Sequence, residues 1–438
     1  MKQKQDNMFR KSSELLQRAL KVIPGGSQTF SKSHIIYPKG HTPLFLKYGK
    51  GGRVWDVDGN EFIDLVCGLL PVLLGYRDPD VDRAINEQIQ NGISFSLPTE
   101  LEIQLAEKLI EIIPCAEMVR FGKNGTDVTS AAVRLARAIT GRDHIVVCGY
   151  HGWQDWYVGI TVRNRGVPRV VQQLTHPIEY GNIEAFKNIL DTYPANVAAI
   201  IMEPMNISEP PAGYLQEMKE LANRHGALFI FDEVITGFRY SLGGAQELFG
   251  VTPDLACFGK GLGNGMPISA IVGKAEYMSL FDEVFFSGTF GGEALSLSAA
   301  IAVIKKLERE PVIKHLHSFG EQLNTLLNGL LVKYGLQEVI KLVGRPCWTI
   351  LDIYDHPTAD KNVIKTFLII RCARKGILSS GSHNICYAHN QLDLEHVFNG
   401  YSKIFGSLAS HLADGDLLKV LGCEPVYPVF SVRSLQKN

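Results

Sequence analysis

Residues 227–239, Ala227-Leu228-Phe229-Ile230-Phe231-Asp232-Glu233-Val234-Ile235-Thr236-Gly237-Phe238-Arg239, and residues 255–265, Leu255-Ala256-Cys257-Phe258-Gly259-Lys260-Gly261-Leu262-Gly263-Asn264-Gly265, decide the reading of this chain. Each opens on a short apolar run of strand length and breaks into polar or glycine-rich sequence. A buried strand ending at Asp232 carries a carboxylate from the core into a region of low dielectric, where a charge is costly unless it is paired. Lys260 follows the next apolar run and lies among glycines, where backbone approaches a ligand closely. Taken singly, Lys260 reads as an ordinary loop lysine and Asp232 as a helix cap. Together they place an amine nucleophile downstream of a buried carboxylate.

Outward from these stretches, residues 72–305 alternate apolar strands with amphipathic helices. Residues 145–147, 198–202 and 228–231 read as strands, and residues 101–113 and 215–225 as helices. This alternation predicts an α/β fold whose large domain is a mainly parallel sheet covered by helices. Such sheets bind ligands at the carboxyl ends of their strands, where Glu203 and Asp232 fall. Residues 12–22 have leucines at helical spacing and stop at Pro24-Gly25-Gly26, and residues 53–64 read as a hairpin about Asp58-Gly59. After Glu310-Pro311 come a further helix, a strand at residues 348–353 and a smaller α+β domain. The expected division is an N-terminal segment 1–71, a large domain 72–310 and a C-terminal domain 311–438.

Arg120-Phe121-Gly122-Lys123-Asn124-Gly125-Thr126-Asp127 ends a strand and opens a helix, which offers backbone N–H groups and a helix dipole to a phosphate. Gly125 and Thr126 are the candidate phosphate binders. An aldehyde cofactor needs a lysine to hold it as a Schiff base, a carboxylate to keep its ring nitrogen protonated and amide donors for its phosphate. The chain supplies all three, which points to pyridoxal 5′-phosphate. Val234 packs on one face of the ring, and Tyr150, in Cys148-Gly149-Tyr150-His151-Gly152-Trp153, presents its ring to the other. His151 reads as a structural hydrogen-bond partner more readily than as a general base.

With 438 residues the chain buries a large core, and its formal charge of −1, spread along the sequence, leaves no footprint for nucleic acid or an anionic membrane surface. The eight cysteines form no CxxC pair and no Cys/His cluster at zinc-ligand spacing, so they read as reduced, mostly buried thiols and no metal is expected. The N-terminus is polar rather than a signal peptide, and no apolar run spans a bilayer, so a cytoplasmic location is expected.

These residues resemble the class III aminotransferases of pyridoxal-phosphate fold type I, nearest to the glutamate-1-semialdehyde 2,1-aminomutase branch. The likeness runs from Ile23-Pro24-Gly25-Gly26 and Trp55-Asp56-Val57-Asp58-Gly59-Asn60 through Tyr150-His151-Gly152 and Asp232-Glu233-Val234 to Gly250-Val251-Thr252-Pro253-Asp254-Leu255 and Gly259-Lys260. It implies Lys260 as the cofactor's Schiff-base partner and proton shuttle, with Asp232 on the pyridine nitrogen. Val234 and Tyr150 bracket the ring, Gly125 and Thr126 hold the phosphate, and Glu203 lies near the cofactor's O3′ side. Thr289 reaches the partner subunit's phosphate in a homodimer with shared active sites. The smaller domain is then built from the N- and C-terminal parts together.

The chain departs from that branch where substrate binds. Ser27-Gln28-Thr29-Phe30-Ser31-Lys32 stands where the aminomutases carry a carboxylate-gripping arginine, and Lys32 does not replace its planar fork. Leu69 takes the place of a tryptophan, Gly291-Gly292-Glu293 replaces Ser-Gly-Asn, and Asn206 is displaced from the family's asparagine. The stretch between Gly152 and Gly166 is shorter than the aminomutases' gating loop and carries Trp153, Gln154, Asp155, Trp156, Arg163, Asn164 and Arg165. Gln28, Lys32, Leu69, Trp153 and Glu293 are the substrate-side candidates. Ser379-Ser380-Gly381-Ser382-His383-Asn384 is either a segment closing over substrate or a polar surface turn.

The expected reaction passes an amino group from an amino acid, glutamate, to a separate small carbonyl acceptor such as a sugar or other hydroxylated compound, through a pyridoxamine phosphate form. Intramolecular aminomutase transfer is the alternative. A non-catalytic scaffold is the third reading, and intact Lys260 and Asp232 argue against it.

Overall fold

A computed structural model describes residues 8–205 and 207–428. The described chain divides into two compact units, one of residues 8–69, 73–78 and 314–428, the other of residues 70–72 and 79–313.

The first unit opens with α1 (Arg10–Val22) and the antiparallel strands β1 (Leu46–Lys50), β2 (Arg53–Asp56) and β3 (Glu61–Asp64). The β2–β3 hairpin turns at Asp58-Gly59, where the Asp56 carboxylate accepts the N–H groups of Asp58 (3.0 Å) and Asn60 (2.8 Å).

The second unit begins with α2 (Pro79–Asn91) and α3 (Glu100–Ile112), then alternates strand and helix: β4 (Met118–Gly122), α4 (Gly125–Thr140), β5 (His144–Cys148), β6 (Thr175–Pro177), α5 (Ile183–Thr192), β7 (Val197–Met202), α6 (Tyr214–Arg224), β8 (Leu228–Asp232), β9 (Leu255–Phe258) and β10 (Ser269–Gly273). Helix α7 (Ala294–Arg309) packs on α2 and α3. The strands form one sheet in the order β4-β10-β9-β8-β7-β5-β6. Neighbours from β9 to β6 are parallel, and β10 runs antiparallel to both β4 and β9. This is the mainly parallel sheet that the family resemblance implies.

Every residue of β7, β8, β9 and β10 is buried, which explains why these strands read as continuous apolar runs rather than alternating ones. Helix α4 shows how a cover forms. Val128, Ala131, Ala132, Leu135 and Ala136 recur at helical spacing and pack on Ile145, Val147, Ile201 and Ile230. Burying one such Val or Leu contributes about 1.5–3 kcal/mol. Gly141, at φ 65°, closes the helix in the left-handed conformation.

The chain returns to the first unit through α8 (Val312–Lys333), then β11 (Ile340–Arg345), β12 (Trp348–Ile353), α9 (Lys361–Arg374), β13 (Ile377–Leu378), β14 (Ser382–Asn384) and α10 (Gln391–Asp414). β13 lies parallel to β3, with Ile377 opposite Ile63. The segment from Ser379 to Asn384 is not a surface turn: Ser379, His383 and Asn384 are buried, and β14 pairs with β12. Among the described residues no helix is long and apolar enough to cross a membrane.

Candidate active site

Four strands of the second unit finish at one sheet edge because their registers align. Cys148 lies opposite Met202, Met202 opposite Phe231, and Asp232 opposite Cys257. The residues that follow these positions, Tyr150-His151, Glu203, Asp232 itself and Lys260, therefore gather at the carboxyl ends of β5, β7, β8 and β9.

Asp232 is buried, and each of its oxygens accepts one hydrogen bond, which leaves acceptor capacity for a further donor. His151 Nδ1 donates to Oδ2 at 2.8 Å, and the Val234 amide donates to Oδ1 at 3.1 Å. His151 is itself buried, lying parallel to Trp156 at 6.4 Å and edge-on to Tyr157 at 5.5 Å. Its Nε2 is buried with no hydrogen-bond partner. The imidazole thus makes its hydrogen bond to Asp232 through Nδ1 alone. Val234 is not the next residue of an extended strand: the chain turns after Asp232, and that turn is what brings the Val234 amide back to the carboxylate.

The loop after β5 is tied to the start of α4. Thr129 Oγ1 donates to the His151 carbonyl at 2.8 Å, and the Trp153 amide donates to Thr126 Oγ1 at 3.3 Å. Gly152 permits this approach. Its φ is 109°, and a Cβ there would stand 2.3 Å from Thr126 Oγ1. The Asp127 carboxylate accepts the amides of Asn124 (2.7 Å) and Lys123 (3.1 Å). Gly125 and Thr126 then supply first-turn N–H groups, which a helix leaves without an intrahelical acceptor. Gly125 lies directly against Val234, whose Cγ1 would be 2.9 Å from a Cβ at that position.

Lys260 follows β9 in a short 3₁₀ turn with φ 41°, a conformation that costs a non-glycine residue energy. Burial pulls its amine below the ordinary lysine value, and the buried Arg239 adds to this. Asp232 and Glu203 act in the opposite direction. Burial pushes the Glu203 carboxyl up, with Asp232 adding to the shift, and its Oε2 accepts the Tyr150 amide at 3.1 Å. The Tyr150 ring is half exposed, with its phenol raised by burial and by Asp232.

The arrangement fits pyridoxal phosphate. A desolvated amine, a carboxylate backed by a buried imidazole, and a helix N-terminus beside Val234 lie on one edge of one sheet. Lys260 would hold the aldehyde carbon, Asp232 the ring nitrogen, and the Gly125 and Thr126 amides the phosphate.

Several candidates are placed otherwise. Glu293 caps α7, accepting the amides of Leu295 (2.6 Å) and Ser296 (3.2 Å), and pairs with Lys123 at 3.0 Å, so its carboxylate is occupied structurally. An acidic residue immediately before an apolar helical run is the signal that identifies such a cap. Trp156, read as part of the entrance lining, is buried in the core and donates to Ser130 at 2.9 Å, whereas Trp153 is 66% exposed. Glu233, next to Asp232, is buried and accepts the Ala245 and Gln246 amides.

Thr289 is exposed in a turn, on a groove of about 360 Å³ that it shares with Lys123, Asp127 and Gln154. Gln28 and Lys32 are exposed in the first unit. Leu69 belongs there too, in a run of left-handed residues from Cys67 (φ 48°) to Leu70 (φ 78°). Asn206 lies outside the described residues.

Comparison with known proteins places these features in context. The family described as aminotransferase class-III matches residues 36–395. A 3-aminobutyryl-CoA aminotransferase of Cloacimonas acidaminovorans is 37% identical over 394 residues, covering 88% of this chain and 94% of the relative. A glutamate-1-semialdehyde 2,1-aminomutase of Methanosphaera stadtmanae is 35% identical over 419 residues, covering 89% and 96%. Among solved structures, the pyridoxal-phosphate internal aldimine form of FumI from Sphingopyxis sp. MTA144 superposes with a TM-score of 0.87 at 26% identity, over 95% of this chain and 99% of that one.

Proposed function

Since the chain belongs to the class III aminotransferase family and its cofactor is pyridoxal phosphate, we propose that it moves an amino group from glutamate to a separate carbonyl acceptor. The observation that carries the reading is the convergence of Lys260, Asp232 with His151, and the α4 N-terminus on one sheet edge.

The bound cofactor supplies an electron sink for the carbon that loses its proton. Asp232 keeps the ring nitrogen protonated, and His151 fixes the carboxylate that does so. The lowered basicity of Lys260 increases the share of free amine able to act as a nucleophile at a given pH, and the same amine then takes and returns the proton of the reacting carbon. Amides of Gly125 and Thr126 anchor the phosphate.

Transfer to a second molecule is supported by the short stretch between Gly152 and Gly166 and by the absence of an arginine in residues 27–32. The similarity to an aminotransferase of a β-amino acyl thioester supports the same direction. The exposed Trp153, Arg163 and Arg165 suit a hydroxylated or otherwise polar acceptor larger than glutamate-1-semialdehyde. Gln28, Lys32 and Leu69 are retained as substrate-side candidates on the family pattern. Glu293 is not retained, because its carboxylate is already committed. We place the enzyme in the cytoplasm and take it to act as a homodimer.

The test is the cofactor's visible absorbance before and after excess L-glutamate, with 2-oxoglutarate counted per subunit. Loss of the band with one keto acid per site and no acceptor present supports the reading. An unchanged band rejects glutamate as donor. The second reading, intramolecular transfer, is favoured by 35% identity to an aminomutase, and net turnover with no external amino donor would establish it instead.

A further inference from the structure

We propose that Cys67, Cys386 and His389 form a site for one thiophilic divalent cation, zinc by its ligand chemistry. The two Sγ atoms and a ring nitrogen of His389 lie within 4.8 Å of one another, and all three residues are at most 1% exposed. In a tetrahedral zinc shell, with Zn–S near 2.3 Å and Zn–N near 2.0 Å, ligand atoms stand roughly 3.5–3.8 Å apart. Contraction of about 1 Å therefore closes the cluster on a cation. All three residues belong to the first unit.

Each ligand is positioned by its own surroundings. Cys386 and His389 are neighbours on one turn, in which the His389 amide donates to the Cys386 carbonyl at 3.2 Å. The imidazole lies parallel to Phe319 at 5.6 Å, and Gly52 makes room for it, since a Cβ there would come within 2.4 Å of Cδ2. The Cys386 amide donates to His389 Nδ1 at 3.1 Å, whereas Nε2 is buried without a hydrogen-bond partner. Cys67 comes from the other end of the chain, held in a left-handed conformation (φ 48°). Its thiol donates to the carbonyls of Asp64 (3.2 Å) and Asn384 (3.0 Å), and those oxygens border the cluster.

The chemistry favours zinc over hard cations. Thiolate and imidazole ligands select zinc and other soft ions, and magnesium or calcium requires oxygen donors. Binding displaces one proton from each thiol, so two thiolates balance the charge of the dication itself. The cation would clasp the loop after β3 to the segment after β14. Cys386 and His389 stand three residues apart, but Cys67 comes from the other end of the chain, so that local spacing alone does not announce the site.

The test uses cofactor-loaded enzyme treated with a chelator and then titrated with Zn²⁺ against a chromophoric competitor, with Co²⁺ as a spectroscopic probe. The expected result is one zinc per chain. Co²⁺ should give a thiolate-to-metal charge-transfer band in the near ultraviolet together with the visible bands of a tetrahedral ion. Cys386→Ser and His389→Gln should each weaken zinc by at least about 100-fold, the upper end of what even outer-shell partners cost. Both should keep the wild-type circular dichroism. Cys423→Ser, at the one free cysteine outside the buried set, should leave affinity unchanged. Sub-stoichiometric zinc, Co²⁺ bands without thiolate charge transfer, or equal affinity in a folded His389→Gln variant would each overturn the proposal. None of these readouts depends on transamination, so the site stands or falls apart from the proposed reaction.

Discussion

In the proposed reaction Lys260 concentrates the chemistry in one side chain, which the fold holds at some cost, with a left-handed backbone and a desolvated amine. Replacing it with alanine removes the nucleophile and the proton carrier together. Lys260→Ala should lower turnover by at least about 10³-fold and let the cofactor dialyse away, while circular dichroism stays that of the folded protein. Because burial lowers the amine's pKa, covalent capture of pyridoxal phosphate by the apoprotein should gain rate with rising pH and level off below 10.5, the ordinary lysine value. Absorbance-monitored loading across a pH series checks this. Gly152 is the second sensitive residue. A methyl group there meets Thr126 Oγ1, and Gly152→Ala should destabilise the protein by about 1–3 kcal/mol, measurable by denaturant titration.

The strands show which parts of the design a reader of sequence can reach. β5, β7 and β8 were legible because buried parallel strands read as nearly continuous apolar runs, and the carboxylates at the end of β8 and just after β7 mark the carboxyl edge of the sheet. What a side chain does at that edge was less legible. The bond from His151 to Asp232 joins residues 81 apart, and only sheet register brings them together. Glu293 looked like a substrate ligand until the amides of α7 came into view.

The outer strand β6 was not expected, and it carries a pH-sensitive contact. His144 of β5 and His176 of β6 share one hydrogen bond at 2.7 Å and stack with Tyr193. Burial and then His144 lower His176 to about 4, and burial also lowers His144. Between pH 6.5 and about 4 these imidazoles therefore bind more protons in the unfolded chain than in the folded one, so their contribution to stability falls as pH drops through that window and levels off below it. His176→Gln should reduce this acid sensitivity, seen as a flatter melting temperature against pH.

At the scale of the molecule, the second unit exposes Leu97 (79%), Phe285 (77%), Ile103 (60%) and Phe290 (59%). Ile103 and Ile110 share a groove of about 510 Å³ with Phe121 and Phe286. Exposed apolar patches of this kind mark interaction sites, and the proposed homodimer would cover this one. Light scattering should give twice the chain mass of 48.5 kDa, and Phe285→Asp should shift the population toward single chains. A wild-type protein that runs as one chain at micromolar concentration would defeat the homodimer.

The parallel pairing of β13 with β3 also sets a schedule for synthesis. Ile63 leaves the ribosome on the order of 300 residues before Ile377, an interval of roughly 15–60 s at ordinary elongation speeds. For that time the early hairpin has one edge waiting, while the intervening residues that build the seven-stranded sheet are already free to fold. The nascent chain therefore acquires its cofactor edge before the sheet that contains its own N-terminal hairpin can close, and a ribosome stalled after residue 313 would display the first without the second.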